Sequence, residues 1–305
     1  MRVVAEKRRG LGFAACCLAS ALWGCGFFFG KIALAEMNVG AMVFYRFLFA
    51  TLALSPLLVT HRPGLNRREW GVLAGASFLG IPVQFLLQFQ GLHLTTVSHA
   101  SLMVGTMPVL LAVGATLFAQ ERMDAIGWVA LAGSTTGAAL IALGGHSGRP
   151  GEASLAGDLL VVASMFIALF WLLGNKQLME RHSPIVITAY GTAIGMLMLC
   201  VVVPVLFGAP PVAHVSMKAW AALAASGFLC TAATTLLWNW GMTQVPASQA
   251  GVLLNMEPLI GSLLGVLVLG ERLGPSAWVG GGLILAAAVT LTTRSKTRVK
   301  EEMAL

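Results

Sequence analysis

Apolar residues fill long, nearly unbroken stretches of the chain, at approximately 10–34, 40–60, 70–91, 96–119, 125–144, 155–176, 185–207, 219–241, 247–269 and 276–293. Short polar or Gly/Pro-rich segments separate them, such as His61-Arg62-Pro63-Gly64 and Gly208-Ala209-Pro210-Pro211. No polar/apolar alternation of period two runs through them, which disfavours a barrel. A helix of about 20 residues rises roughly 30 Å, the thickness of a bilayer's hydrocarbon core. Lipid offers the backbone no hydrogen-bonding partners, so helices that satisfy their own N–H and C=O groups are the economical assignment. The pattern predicts an all-α polytopic membrane protein with ten transmembrane helices.

The stretches also repeat. Shifted by 150, residues 70–135 align with 220–285 without a gap: Trp70 meets Trp220, Gly91 meets Gly241, Ser98 meets Ser248, Pro108 meets Pro258, Glu121-Arg122 meets Glu271-Arg272, and Trp128 meets Trp278. Earlier parts align at a shift of 145, where Lys31 meets Lys176 and Tyr45 meets Tyr190. Two five-span units are expected, over 1–144 and 155–293, followed by a basic cytoplasmic tail at 294–305. Because five is odd, the second unit lies inverted relative to the first, a plan that recurs in transporters.

Composition and charge sharpen this picture. The chain is 57% hydrophobic and only 10% charged, with a mean hydropathy of +0.84. A soluble domain carries about 25% charged residues. The net charge of +7 sits in loops and tails, so it reports topology rather than a nucleic-acid partner. With a cytoplasmic N-terminus, the inner side takes Arg2, Lys7, Arg8, Arg9, Arg62, Arg67, Arg68, Arg122, Lys176, Arg181, Arg294, Lys296, Arg298 and Lys300. The outer side takes only Lys31, Arg149, Lys218 and Arg272. Both termini are therefore expected in the cytoplasm. The apolar run from Gly10 is too long for a cleavable signal's core of about 7–15 residues, and Lys31 stands just before the small residues Ala33-Leu34-Ala35. Cys16, Cys17, Cys25, Cys200 and Cys230 lie inside apolar runs, without metal-ligand spacing, and read as packing residues.

At this point the residues resemble a known family. Ala21-Leu22-Trp23-Gly24 and Lys31 in the first span, Arg46 in the second, Pro108 followed by Glu121-Arg122, and Glu257-Pro258 followed by Gly270-Glu271-Arg272 are similar to the EamA family of the drug/metabolite transporter superfamily. The resemblance covers about residues 10–293. It implies export or exchange of small organic solutes such as amino acids or other metabolites.

The candidate chemistry is concentrated in a few polar positions. Glu257 lies about ten residues into the ninth span, roughly 15 Å deep, where a carboxylate is expensive unless paired, protonated or wet. It is a candidate proton or substrate site, or a structural ion pair beside Pro258. Its repeat counterpart is Met107, so the fold does not require the acid twice. Arg46, roughly 9 Å deep, is either its partner or a residue that reaches back to the surface. Lys31 is expected to snorkel. Glu121 and Glu271 are expected to favour the N-terminus of the following helix.

Gln84 and Gln88, and likewise Trp171 and Asn175, share a helix face at i, i+4. Thr231, Thr234, Thr235, Trp238 and Asn239 cluster in the eighth span; Gln249 and Asn255 lie in the ninth. The expected solute-binding set is Gln84, Gln88, Trp171, Asn175, Thr234, Trp238, Asn239 and Asn255. Each alone also suits an interhelical hydrogen bond. The glycines of Gly261–Gly265 and Gly280–Gly282 are expected to serve close helix contacts. His93 and His99 lack metal-ligand helical spacing, and no Gly-rich phosphate loop with Lys is present. Neither a metal, a cofactor nor an enzymatic activity is expected.

These readings point to a secondary transporter of the inner membrane. It would move a small organic metabolite by alternating access, most simply outward, as a monomer or homodimer in lipid. The competing class is a membrane-embedded binding or assembly protein without transport.

Overall fold

In the computed structural model the described residues are 2–107, 109–110, 125–143, 153–211, 214–244 and 253–302. Among them the regular elements are all helical. Helix α1 covers Arg2–Leu34 and α2 Val39–Thr60. The third apolar stretch is one rod in two parts, α3a (Arg67–Phe78) and α3b (Gln84–Leu94), joined by a π-helical turn at Leu79–Val83. Helix α4 is Val97–Val104, α5 Ala125–Leu143, α6 Leu155–Met179 and α7 Pro184–Phe207. The eighth stretch is again split, into α8a (Met217–Gly227) and α8b (Thr234–Gln244), around a π-helical turn at Phe228–Ala233. Helix α9 is Met256–Leu267 and α10 Pro275–Glu302.

Six helical stretches are long and apolar enough to cross a bilayer: Gly10–Leu34, Val39–Thr60, Arg67–Leu94, Leu155–Met179, Pro184–Phe207 and Met217–Met242. Shorter apolar helices cover Ala125–Ile141, Met256–Leu267 and Pro275–Ala287. The protein is thus an all-helical, multi-pass membrane protein. In the runs expected at 96–119 and 247–269 the described residues include the short helices α4 and α9. Helix α4 ends at Val104 and turns through Gly105 and Thr106, with Gly105 N–H on Leu102 O and Thr106 N–H on Met103 O. Helix α9 starts only after a turn at Leu254–Asn255. Pro108, Glu121, Arg122, Arg149 and Gln249 lie outside the described residues.

Helix ends are set by local chemistry. Asn38, Thr96, Ser154 and Ser216 each accept a backbone N–H at the start of α2, α4, α6 and α8a. Asn66 and Glu69 form a capping box on α3a. The two π turns reach one shape by different routes. Pro82 opens the first by removing an N–H and crowding the preceding carbonyl. The second contains no Pro; instead the Thr231 and Thr234 hydroxyls donate five residues back, to Ser226 O and Leu229 O.

The tertiary contacts come in pairs. Helix α3b lies along α6, and α8b along α1; α8a lies on α2, and α3a on α7; α9 lies on α1, and α4 on α6. Helices α2 and α7, α4 and α9, and α5 and α10 pack against each other. Glycines set several of these contacts, because small residues are what lets helices approach without solvent-driven burial. A Cβ on Gly91 would lie 2.7 Å from Gly157 O, and one on Gly241 would lie 3.0 Å from Gly12 O. Those positions correspond under the two shifts. A Cβ on Gly137 would lie 2.5 Å from Gly280 O, between α5 and α10. Of the Gly280–Gly282 run, Gly280 and Gly281 face neighbours, whereas Gly282 faces open space. Gly261 and Gly265 admit Ser101 and Ser98 of α4.

The corners are also tied. Tyr45 stacks edge-on against Trp220 with ring centres 4.7 Å apart, and Tyr190 against Trp70 at 5.7 Å. The Glu36 carboxylate, between α1 and α2, accepts from Ser216 Oγ at 2.6 Å and Ser216 N–H at 2.7 Å. Those bonds hold its pKa below the usual carboxylate value. At the other end Glu69 of α3a lies 3.1 Å from His182 Nε2, between α6 and α7.

Candidate functional site

Arg46 is a buried charge held from several sides. Its helix, α2, carries no acidic side chain, so the guanidinium finds its partners on other helices. The side chain is only 3% exposed, so it does not snorkel. It turns toward the π turn of α8, where Nε donates to Thr231 Oγ1 at 2.8 Å and a terminal nitrogen donates to Cys230 O at 3.2 Å. The widened turn is what supplies that carbonyl, because it breaks the regular ladder. Phe85 and Phe89 of α3b present their faces to the guanidinium at 5.0 and 5.1 Å, adding cation–π attraction. Gly26 of α1 closes the fourth side: a Cβ there would lie 3.5 Å from both terminal nitrogens. Four helices therefore meet at one cation. Its counterpart in the second half is Gly191, which lies against Leu73 and Ser77.

Glu257 lies in the first turn of α9 rather than deep within a continuous helix. The turn at Leu254–Asn255 exposes α9's N-terminal amides, which favour an anion. Asn255 is buried directly before it. Glu257 is half-buried, and among the described residues no ion pair within 4 Å joins it to Arg46. The two are still near enough for their charges to act on each other. Gly24 of α1 lies against the Glu257 carbonyl and the Gly261 amide, so one short segment of α1, residues 24–26, touches both charge positions.

The expected solute-binding residues fall into local contacts. Gln84 Nε2 donates to Gln88 Oε1 at 3.1 Å, and both side chains are buried. Trp171 of α6 lies flat on Gly80 in the first π turn. Asn175 is half-buried one turn further on. Thr234 is bonded to the Leu229 carbonyl. Trp238 packs on Trp23 of α1 with ring centres 5.4 Å apart. Asn239 Nδ2 donates to Thr188 Oγ1 of α7 at 2.6 Å. Two surface depressions lie elsewhere. One of about 290 Å³ is lined by Thr136, Ala139, Leu140, Leu143 and Ser276; one of about 240 Å³ includes Lys31, Glu36 and Lys218.

Two outlying charges differ from expectation. Lys31 does not reach for the surface; its Nζ donates to Leu92 O at 2.8 Å and Thr95 O at 2.5 Å, capping α3b. Glu271 does sit at a helix N-terminus, but at that of α4 rather than the following α10. Its carboxylate accepts from Val97 N–H, Ser98 N–H and Ser98 Oγ at 2.7, 2.8 and 2.6 Å. Sequence reasoning missed the roles of Phe85, Phe89 and Thr231 around Arg46. It also missed the buried pair of His99 and Asp158. Tertiary pairing across 185 residues leaves no local signal for the first, though a lone Asp in an apolar run could have flagged the second.

Apolar helices packed around a buried, hydrogen-bonded cation and a helix-terminal acid define a polytopic membrane protein with charged groups in its interior. The sequence pattern of the EamA-like transporter family matches residues 10–143 and 155–293, and the chain belongs to that family. It is a transporter, not an enzyme, and it works on a small-molecule solute from within lipid. That sets aside the reading as an assembly protein. An uncharacterized transporter of Archaeoglobus fulgidus is 28% identical over 284 residues, 90% of this chain and 95% of its own. A probable terminal-alkyne amino-acid exporter of Streptantibioticus cattleyicolor is 26% identical over 290 residues, 92% of each chain. A solved crystal structure superposes with a TM-score of 0.65 at 18% identity, over 96% of this chain and 99% of the other. At that identity the likeness speaks to fold alone.

Proposed function

We propose that the protein is an alternating-access exporter of an amino acid or closely related zwitterion, built as two inverted five-span repeats over 1–144 and 155–293. It spans the inner membrane ten times with both termini in the cytoplasm. Arg46 holds the solute carboxylate, and Glu257 holds the ammonium group or exchanges a proton. The observation that carries this reading is the pair of opposite interior charges, Arg46 buried and Glu257 half-buried, that break the repeat: Arg46 answers to Gly191 and Glu257 to Met107. A packing role would fall on both halves alike, and neither charge does. The paired helix contacts support the repeat, and the amino-acid exporter among the relatives supports the solute class.

Gln84, Gln88, Trp171, Asn175, Thr234, Trp238, Asn239 and Asn255 flank these charges on α3, α6, α8 and ahead of α9. Their amides, hydroxyls and indoles suit a polar group with an apolar side chain. In the conformation described Gln84 bonds to Gln88, Thr234 to the Leu229 carbonyl and Asn239 to Thr188, so solute entry exchanges those bonds for bonds to the solute.

Cells over-producing the protein should resist toxic amino-acid analogues. Glu257→Gln keeps shape and most hydrogen bonding but removes the charge. It should insert normally and abolish resistance, or shift its pH profile. Unchanged resistance and pH profile in that variant would assign Glu257 to structure.

A further inference from the structure

Two groups of helices share the interior. Helices α3b and α4 pack on α6, and α8b and α9 pack on α1; α4 and α9 meet between the groups. Within each group backbones touch, Gly91 against Gly157 and Gly241 against Gly12. At one end of the bundle the groups are tied to each other. Lys31, in the last turn of α1, donates to Leu92 O at 2.8 Å and Thr95 O at 2.5 Å, where α3b ends. Both acceptor residues are buried. Glu271, which follows α9, accepts from the Val97 and Ser98 amides where α4 begins.

The repeat supplies the same lysine at the other end. Under the shift of 145 Lys31 corresponds to Lys176, in the last turn of α6. Its surroundings differ: Lys31 is half-buried and Lys176 is exposed. Helix α1 touches both α3b and α4, whereas α6 has no comparable contact with α8b or α9 among the described residues. Arg46 and Glu257 stand in one half only, but this lysine stands in both.

We propose that Lys31 and Lys176 are closing residues that act in turn, one at each end, and that this conformation is shut at Lys31 and open at Lys176. The inference rests on the alternating-access reading. The last carbonyls of a helix have no partner within it. In an open end water bonds them and hydrates the ammonium. In a shut end water is gone, and an unpaired carbonyl is costly. A lysine beside a helix C-terminus supplies the donors and a favourable charge. Its flexible stem lets it leave and return. Closure thus exchanges bonds to water for bonds to the ammonium and strands no carbonyl. Each lysine stands on one group and reaches for the other. Lys31 reaches from α1 to α3b, and Lys176 would reach from α6 to α8b. A tilt of one group against the other that draws Lys31 off α3b brings Lys176 onto α8b.

The test measures distances between spin labels by double electron–electron resonance, on purified protein in nanodiscs with the five native cysteines replaced. One labelled pair, Ala35→Cys with His93→Cys, both exposed, spans the Lys31 end. Its repeat counterpart, Glu180→Cys with Thr243→Cys, spans the other. The parent form should show mainly short distances across the first pair and long ones across the second. Lys31→Met should lower the short-to-long ratio at the first pair about tenfold, as loss of a hydrogen bond to a charged group does. It should raise the ratio at the second pair, and adding Lys176→Met should remove that rise. Lys31→Arg, which keeps charge and donors, should stay near the parent. A second pair unmoved by Lys31→Met overturns the proposal, because a purely structural lysine loosens its own end alone. A rise that persists in the double variant overturns it equally. Where Lys31→Met fails to insert, Lys31→Gln takes its place under the same two criteria. The distances need no solute. Reciprocal ends in a protein that confers no resistance keep the two lysines and reject the solute assignment; resistance with independent ends does the reverse.

Discussion

Arg46 illustrates how a single side chain depends on its shape as much as its charge. A guanidinium offers a planar fork, and here the fork meets Thr231 Oγ1 and Cys230 O while its faces meet Phe85 and Phe89. A lysine keeps the charge but has neither the Nε donor nor the flat surface. Arg46→Lys is therefore expected to insert and to melt earlier, by about 1.5–3 kcal/mol, the range for hydrogen bonds to charged groups. Thr231→Val should move the melting curve in the same direction, since it strands Nε. Wild-type melting of Arg46→Lys in detergent would mean that the fork has no structural share. The sequence made Arg46 and Glu257 visible because intramembrane charges are rare. It did not reveal what surrounds Arg46, because the partner turn lies 185 residues away and its carbonyl is released only by a π turn. Glu257's position changed for a related reason. Apolar periodicity runs straight through the turn at Leu254–Asn255, so the helix start is invisible in the pattern.

Among elements, glycine contacts separate those that position the bundle from those that merely tolerate glycine. Gly157 of α6 would carry its Cβ 2.8 Å from the Leu94 carbonyl carbon and 2.9 Å from Gly91 O. Backbone atoms cannot move aside as a side chain can. Gly157→Val should push α6 off α3b and lower stability by roughly 1–3 kcal/mol, as overpacking does. Gly75 of α3a has nothing within 4 Å of its missing Cβ. Gly75→Ala should be neutral or stabilising by up to about 1 kcal/mol, the helix-propensity difference. Thermal melts of the two variants in one detergent compare them directly; equal shifts would contradict the contact geometry. The long spans were legible almost to their ends, because lipid length and capping residues both mark them. The π turns were not, since Pro82 hints at one and the other is made by threonine hydroxyls that read as ordinary polar residues. The glycine runs were recognised as contacts, but only the structure distinguishes Gly280 and Gly281 from Gly282.

At the scale of the whole molecule, orientation is the property on which the transport direction depends. The corner contacts offer a consistent arrangement. Glu36 ties the α1–α2 corner to the start of α8a, and Glu69 with His182 ties the start of α3a to the α6–α7 corner. These two ties lie at opposite ends of the bundle, since one helix long enough to cross, α2, separates Glu36 from Glu69. If the N-terminus is cytoplasmic, the first tie and the His99–Asp158 pair face outward and the second tie faces inward. Arg62, Arg67, Arg68 and Arg181 then cluster at the inner end, as positively charged loops should. One span more or fewer between α1 and α6 would put those arginines on opposite sides and erase the bias. A reporter active only in the cytoplasm, fused after Gly64 or after Leu305, should therefore be active, and the same reporter fused after Arg149 should be silent. Activity after Arg149 would overturn the ten-span arrangement.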